Sequence, residues 1–550
     1  MGQAGITSTE LNGFIGGHQT VGDHHSGGSG SDKPLLIGIV VILVAYAVAS
    51  MAGFTVSPKA AADSHAAADS HAAAEAHHDA AHGAEGHDEH ADPHAADAHG
   101  GHGSHPLPHI WAVAPFVMLL GAIAVLPLLK FTEHWWESNT NRFIVAAGLA
   151  VVTLIYYMTV YEGASLSAAW HRIDHAILGE YIPFIVLLFS LYVISGGIRI
   201  SGDLKAHSTT NAVFMLVGGL LASFIGTTGA AMLLIRPLLE TNKERRYRQH
   251  TVVFFIFVVC NCGGCLLPIG DPPLFLGYLQ GVSFLWTMTA LWKPWLLTNA
   301  LLLVLYVLVD KFYYYPKEGA EDVLRDEVRT TPLQIRGLWP NALLLLGVIF
   351  SVALLDPTKP LPGIGWYPFV YLREIVQLAL VGLSLWLGSK QVREANSFNY
   401  HAIVEVAALF VGIFICMQPA LEILNEKGPS LGIDTPMKFY WITGGLSAVL
   451  DNAPTYLVFF KTAFPNMDAA TLNAAIENTS GVPYVNLVAI SLGSVFMGAM
   501  TYIGNGPNFM VRAIAEESGV KMPSFFGYIM FFSIPVLLPI LAIVSLVFLL

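Results

Sequence analysis

The chain has 550 residues, of which 54% are hydrophobic and only 12% are charged, and its formal net charge is −12 at pH 7. A soluble protein carries about twice that charged fraction, so the composition excludes an ordinary soluble globular protein. Basic residues do not cluster among aromatics, which argues against nucleic-acid binding. The sequence shows no Walker motif, which argues against an ATP-driven pump.

Apolar runs of roughly 20 residues are long enough to cross a bilayer. We expect spans at 35–53, 110–130, 142–162, 181–200, 337–356 and 525–549. The sequence therefore predicts an all-α polytopic membrane protein that has the lipid bilayer as a partner.

The first hundred residues differ from the rest. Residues 1–34 are polar and Gly-rich and predict a disordered inner N-terminus, and residues 35–56 predict an N-terminal membrane anchor, although a cleaved signal sequence is the alternative. Residues 57–109 form a His/Ala/Asp-rich linker that cannot bury a core, so disorder outside the membrane is expected. This linker is either a solvated spacer or a weak metal site, and its candidate ligands are His77, His78 and His82.

Two polar stretches interrupt the apolar sequence and look like copies of one another. They are Ile-Gly-Asp-Pro-Pro at 269–273 and Ile-Gly-Asn-Gly-Pro-Asn at 503–508. A helix cannot run intact through such prolines, and freed backbone groups in a bilayer must be buried in protein or line a polar cavity. Paired interruptions of this kind indicate the binding site of a secondary transporter. We predict two broken helices, with breaks at Gly270, Pro272, Pro273, Gly504, Gly506 and Pro507.

A second pair of segments precedes the two breaks at similar spacing. We interpret the regions about 212–236 and 440–460 as re-entrant hairpins. The same order with opposite predicted orientation indicates an inverted repeat, with about 11 spans in all. Repeat 1 is expected at 110–312 and repeat 2 at 337–550, joined by an inner linker at 313–336.

The distribution of basic residues predicts the orientation. With the N-terminus cytoplasmic, most loop lysines and arginines fall on the inner face, as the positive-inside rule requires. We therefore expect a multi-pass protein of the inner (plasma) membrane with its C-terminus outside. A homodimer is compatible with this arrangement.

The motifs resemble those of a known group. Residues 261–284, with Asn-Cys-Gly-Gly, Pro-Ile-Gly-Asp-Pro-Pro and Gly-Val-Ser-Phe, resemble the first signature of the ion transporter superfamily, and residues 447–454 and 498–508 resemble the second-half signatures. The resemblance spans roughly 140–550 and is closest to NhaD-type sodium/proton antiporters and their arsenite-pump and citrate-transporter-like relatives. It implies hairpin tips that meet broken helices near the midplane of the membrane. One departure is that the first hairpin carries Gly-Thr-Thr at 226–228 where the second carries Asp-Asn, which argues against a symmetric two-cation site.

Carboxylates inside spans are functional candidates because they are costly to bury in a membrane. We predict Asp451 as the main ion and proton carrier, with Asp271 and Glu405 as further carboxylates. The structural alternatives are a hairpin cap for Asp451, a helix cap for Asp271 and, for Glu405, a buried hydrogen-bonded residue or one at the inner end of its span. Neutral ligands are expected from Thr227, Thr228, Asn452, Asn505 and Asn508.

A buried carboxylate that holds either Na⁺ (or Li⁺) or H⁺ gives the simplest exchange mechanism. The sequence therefore favours a Na⁺(Li⁺)/H⁺ antiporter, with a small inorganic cation as substrate, no cofactor and no enzymatic activity. The alternative is an organic-anion (di/tricarboxylate) or oxyanion carrier that uses half-helix N-termini, flanked by Arg236 and Arg512. A third hypothesis is a metal sensor built on the histidine linker, but a mere anchor has no reason to interrupt its helices.

Overall fold

The computed structural model of the chain describes residues 107–162, 164–463 and 479–550. The expected inner N-terminus, the anchor at 35–56, the span at 35–53 and His77, His78 and His82 lie outside the described residues, as does the linker up to residue 106. The described part is mostly helical, which confirms the helical class. It also contains a two-stranded sheet, so the strictly all-α prediction was wrong in this detail.

The first half of the described chain carries one strand, β1 (Arg199–Asp203). Its helices are α1 (Ala114–Val125), α2 (Glu133–Trp136), α3 (Asn139–Thr159), α4 (Leu166–Asp174), α5 (Ile182–Ser195), α6 (Ser208–Ile225), α7 (Thr227–Thr241), α8 (Gln249–Val258), α9 (Pro272–Leu279) and α10 (Trp286–Val309). A π-helical turn, His175–Tyr181, joins α4 to α5.

The second half begins with α11 (Ala320–Val328) and β2 (Thr331–Arg336). The later helices are α12 (Leu338–Leu354), α13 (Leu372–Leu387), α14 (Lys390–Ala395), α15 (His401–Cys416), α16 (Gln418–Lys427), α17 (Pro436–Ser447), α18 (Asn452–Thr462), α19 (Tyr484–Met497), α20 (Gly506–Glu517), α21 (Phe525–Tyr528) and α22 (Leu538–Phe548).

Six helical stretches among the described residues are long and apolar enough to cross a membrane. They are Ile110–Leu128, Asn139–Thr159, Arg172–Ser195, Ser208–Ile225, Trp286–Lys317 and Phe525–Phe548. The bent pair α15 and α16, with a 46° angle between them, would add a seventh. Four of the predicted spans are thus found, whereas α12, within the predicted span 337–356, is a shorter apolar helix. The total of about 11 spans stays a prediction.

Every helix break predicted from glycine and proline is present. Pro272 and Pro273 are the first two residues of α9, and Gly506 and Pro507 are the first two of α20. Proline suits this position because the first helical amides have no partner within the helix. In the first hairpin, Gly226 alone separates α6 from α7, and its φ of +80° is one that side-chain-bearing residues rarely adopt.

The hairpins and the broken helices cross in the same way in both halves. A Cβ on Gly270 would meet backbone of Gly264 and Ser223, and a Cβ on Gly504 would meet backbone of Gly498 and Ser447. The Ser223 hydroxyl donates to the carbonyl of Gly263 at 2.6 Å, and the Ser447 hydroxyl donates to that of Ser494 at 2.6 Å. The duplicated motifs therefore build duplicated contacts, and the inversion of one copy relative to the membrane stays a prediction.

The predicted inner linker at 313–336 is structured. Its strand β2 pairs antiparallel with β1, with Arg336 opposite Arg199. The carboxylate of Asp326 in α11 accepts a hydrogen bond from the backbone N–H of Ala206 at 2.9 Å. The linker thus packs against the loop that follows α5, which fixes it to the first half.

Candidate functional site

Four helices begin at one place in the molecule, where the two hairpin tips meet the two broken helices. The helices are α7, α9, α18 and α20, and side chains from their first turns or caps are joined by hydrogen bonds. The backbone N–H of Thr227 also donates to the carbonyl of Gly270 at 2.9 Å. Because helix N-termini carry unpaired N–H groups and a partial positive charge, the four helix ends together favour a negative charge at this point.

Asp271 lies at the centre of this meeting point and is only 1% exposed. It precedes the first residue of α9, but its side chain makes no capping hydrogen bond. Its carboxylate instead accepts hydrogen bonds from the Thr227 hydroxyl at 3.3 Å, the Asn452 amide at 3.1 Å and the Asn505 amide at 3.3 Å. All of the hydrogen-bond donors found for it in the described chain are neutral, so its charge is not matched by an arginine or lysine.

A second layer of asparagines holds this arrangement in place. The Asn505 amide also donates to the Cys260 carbonyl at 2.9 Å, and the Asn261 amide donates to the side-chain oxygen of Asn508 at 2.8 Å. The Asn508 amide donates to the carbonyls of Gly498 and Thr501, each at 2.9 Å. Asn508 therefore supports the broken helix and is not among the hydrogen-bond donors to Asp271.

Asn452 contributes an unused acceptor at the site. Its side-chain nitrogen donates to Asp271, while its side-chain oxygen is buried and has no hydrogen-bond partner in the described part of the molecule. A buried polar atom without a partner costs about 1–3 kcal/mol. The orphaned oxygen therefore marks a place where a proton donor or a cation would be favourable.

Asp451 occupies a different position from the one we expected for the main carrier. Its carboxylate accepts the backbone N–H of Ala453 at 3.0 Å and so caps α18, and the residue is half-buried. The structure thus gives Asp451 the capping geometry and Asp271 the central one, while the ion-carrying role of either stays a prediction.

Two other candidates are not joined to this cluster. The carboxylate of Glu405 in α15 forms an ion pair with Arg142 of α3 at 2.9 Å, and its functional role stays a prediction. Thr228 lies next to Thr227 in α7, but no hydrogen bond connects its hydroxyl to Asp271 in the described chain. The residue that sequence reasoning missed is Asn261, although it stands in the Asn-Cys-Gly-Gly motif.

A cavity of about 120 Å³ lies beside the second broken helix. It reaches Ile503 and is lined also by Tyr502, Phe509, Arg512 and two acids, Glu133 and Glu516. The Arg512 guanidinium lies over the Tyr502 ring and donates to Glu516 at 3.0 Å. The one base of this cavity is therefore already paired with an acid.

Comparisons with known proteins place the chain in a family. A family described as "Putative citrate transport" (CitMHS_2) matches residues 104–549, which include both hairpins and both broken helices. No curated protein matches the chain. The match covers most of the sequence, and the chain therefore belongs to this family of ion-transporter-like membrane carriers.

Proposed function

We propose that the chain is a secondary antiporter of the NhaD type that exchanges Na⁺ or Li⁺ for H⁺ at Asp271. The observation that carries the proposal is a buried carboxylate whose hydrogen-bond donors among the described residues are all neutral, next to an Asn452 oxygen that has no partner there. A partly dehydrated cation needs oxygen ligands of this kind, and a hydroxyl oxygen is available from Thr227. A carboxylate inside a membrane segment is itself a functional indicator.

Asn452 allows the same site to accept either ion. When Asp271 is ionised and holds no cation, the Asn452 amide nitrogen donates to it, as in the structure. When a cation binds, the Asn452 oxygen is a ligand. When Asp271 takes up a proton, a half-turn of the Asn452 amide lets that oxygen accept the new O–H. Cation and proton therefore compete for one carboxylate, which is the requirement for exchange.

An organic-anion carrier is the second candidate, because the family is described by citrate transport. The four helix N-termini could hold a carboxylate of the substrate, and Arg512 would supply a base in the adjacent cavity. Against this, the centre of the site is already occupied by the negative charge of Asp271, and Arg512 is paired with Glu516. The geometry therefore favours the cation, and the family description favours the anion.

Transport by the purified chain in liposomes separates the two candidates. A pH-sensitive dye inside the vesicles reports proton movement after addition of Na⁺, Li⁺, K⁺ or citrate. We expect proton movement with Na⁺ and Li⁺ that is absent in Asp271→Asn and retained in the control Asp451→Asn. Citrate uptake without any response to Na⁺ or Li⁺ alone would replace the antiporter by the organic-anion carrier.

A further inference from the structure

A second carboxylate resembles Asp271 in its surroundings. Glu180 lies in the π-helical turn before α5, inside the apolar stretch Arg172–Ser195, and is only 3% exposed. Its two oxygens accept hydrogen bonds from the side-chain amides of Gln280 at 3.0 Å and Gln418 at 3.4 Å. π-Helical turns are rare and often mark functional positions.

Two other buried acids in the described residues are each held by an arginine. Asp310 pairs with Arg245 at 2.6 Å, and Glu374 pairs with Arg373 at 2.6 Å. Within the described ranges, no ion pair joins Glu180 to a base, although the charges of His175 and Lys461 act on it from nearby. A buried acid that pairs with an arginine is fixed in its charged form, whereas Glu180, like Asp271, has no such partner among the described residues.

Glu180 also lies at a defined place relative to the ion site. The helices α9 and α18 both begin at that site, α9 ends just before Gln280, and Lys461 is in the last turn of α18. The eight residues of α9 span about 12 Å. The two helices touch along their length because Gly277 leaves room for the Tyr456 ring. They therefore run side by side from Asp271 to the neighbourhood of Glu180.

We infer that Glu180 is a second exchangeable site for a proton or monovalent cation. It lies near the C-terminal ends of α9 and α18, whose N-termini lie at Asp271. This inference rests on the proposed exchange at Asp271. Glu180 takes up one proton or one cation on its way to or from Asp271 and then releases it, so that the O–H bond formed on uptake of a proton breaks on release. The positive charge of Lys461, and that of a charged His175, favours release of the proton or cation from Glu180. The Gln280 and Gln418 amides hold the carboxylate in one orientation.

Glu180→Gln tests the inference because it keeps the size of the side chain and one acceptor oxygen but removes the charge. Exchange is measured in liposomes between pH 6 and 9, and equilibrium binding of ²²Na⁺ is measured on the purified protein. We expect at least a tenfold lower exchange rate and a changed pH profile, with Na⁺ affinity at Asp271 within about threefold of the unmodified chain. Glu180→Asp should restore part of the rate.

The matched control is Glu422→Gln, which changes a glutamate of α16 that pairs with Arg172 at 2.8 Å. We expect it to leave the rate and the pH profile unchanged. Wild-type exchange with an unchanged pH profile in Glu180→Gln, while Asp271→Asn is inactive, would overturn this inference and leave the proposed function standing. Equal losses in Glu180→Gln, Glu180→Asp and Glu422→Gln would assign Glu180 a structural role and also overturn it. Full exchange in Asp271→Asn would instead remove the proposed function.

Discussion

Asp271→Asn removes the one charge at the centre of the site and should abolish cation binding. Asp271 is 1% exposed, so water does not screen its interaction with a bound ion. Two unit charges 4 Å apart interact by about 4 kcal/mol at an effective dielectric constant of about 20. Since each 1.4 kcal/mol corresponds to tenfold in affinity, we expect Na⁺ binding to weaken by about a thousandfold.

The same substitution should leave the fold intact. An asparagine at 271 would turn one amide nitrogen toward Asn452, whose own nitrogen now donates to that position. The amide of Asn452 can rotate by half a turn and present its unpaired oxygen instead. One hydrogen bond replaces another, so the change in unfolding free energy should stay within about 1 kcal/mol.

Isothermal titration with Na⁺ and Li⁺ measures the affinity, and thermal unfolding in detergent measures the stability. The reasoning predicts loss of binding together with an unfolding temperature within a few degrees of the unmodified chain. Retention of Na⁺ affinity within tenfold would refute it, because a carboxylate that contributes so little cannot be the principal ligand.

Three further results are expected. Asp451→Asn should change the free energy of unfolding by less than about 1 kcal/mol, because Asn and Asp cap helices equally well. It should weaken Na⁺ binding by no more than about tenfold in the same titration. A thousandfold loss of Na⁺ affinity would return the carrier role to Asp451. Gly277→Ala should destabilise the protein by about 1–3 kcal/mol in thermal unfolding, because its Cβ would meet the Tyr456 ring. Gly382→Ala, the control in α13 with open space around it, should be neutral or stabilising.

The helix breaks could be predicted because proline and glycine act on their own backbone. Pro272 and Pro507 each determine where a helix begins, whatever surrounds them. Gly226 could be placed in a hairpin tip for the same local reason. The pairing of β2 with β1 depends on contacts across more than a hundred residues, and the strand Thr331–Arg336 is short and exposed throughout.

The ranking of the carboxylates could not be predicted in the same way. Asp271 and Asp451 both stand beside a break, and which of them faces the other helices depends on how the hairpins pack. Glu180 was missed because it stands just before the apolar run at 181–200 and resembles the end of a loop. In the structure the apolar helical stretch starts earlier, at Arg172, and carries Glu180 into the interior.

Both candidate functions use the cluster around Asp271, and they differ in the role of the adjacent cavity. Each of the four helix N-termini carries a partial charge of about +0.5, and the carboxylate of Asp271 offsets part of their sum. Once a cation or proton neutralises Asp271, the helix ends regain their attraction for an anion, so cation binding would come before anion binding in a citrate carrier. Such a carrier needs a base that is freed from its acid, and Arg512 beside Ile503 is the base in the adjacent cavity.

Arg512→Gln therefore separates the two functions after the ion site is established. In an antiporter the substitution leaves Na⁺-driven proton movement within about threefold, because Arg512 makes none of the hydrogen bonds found at Asp271 in the described residues. In an organic-anion carrier, the loss of a charge-assisted contact worth about 1.5–3 kcal/mol lowers citrate affinity by about ten- to a hundredfold. Both fluxes are measured in the same vesicles. Unchanged Na⁺-driven proton movement supports the antiporter, and a loss of citrate affinity supports the organic-anion carrier.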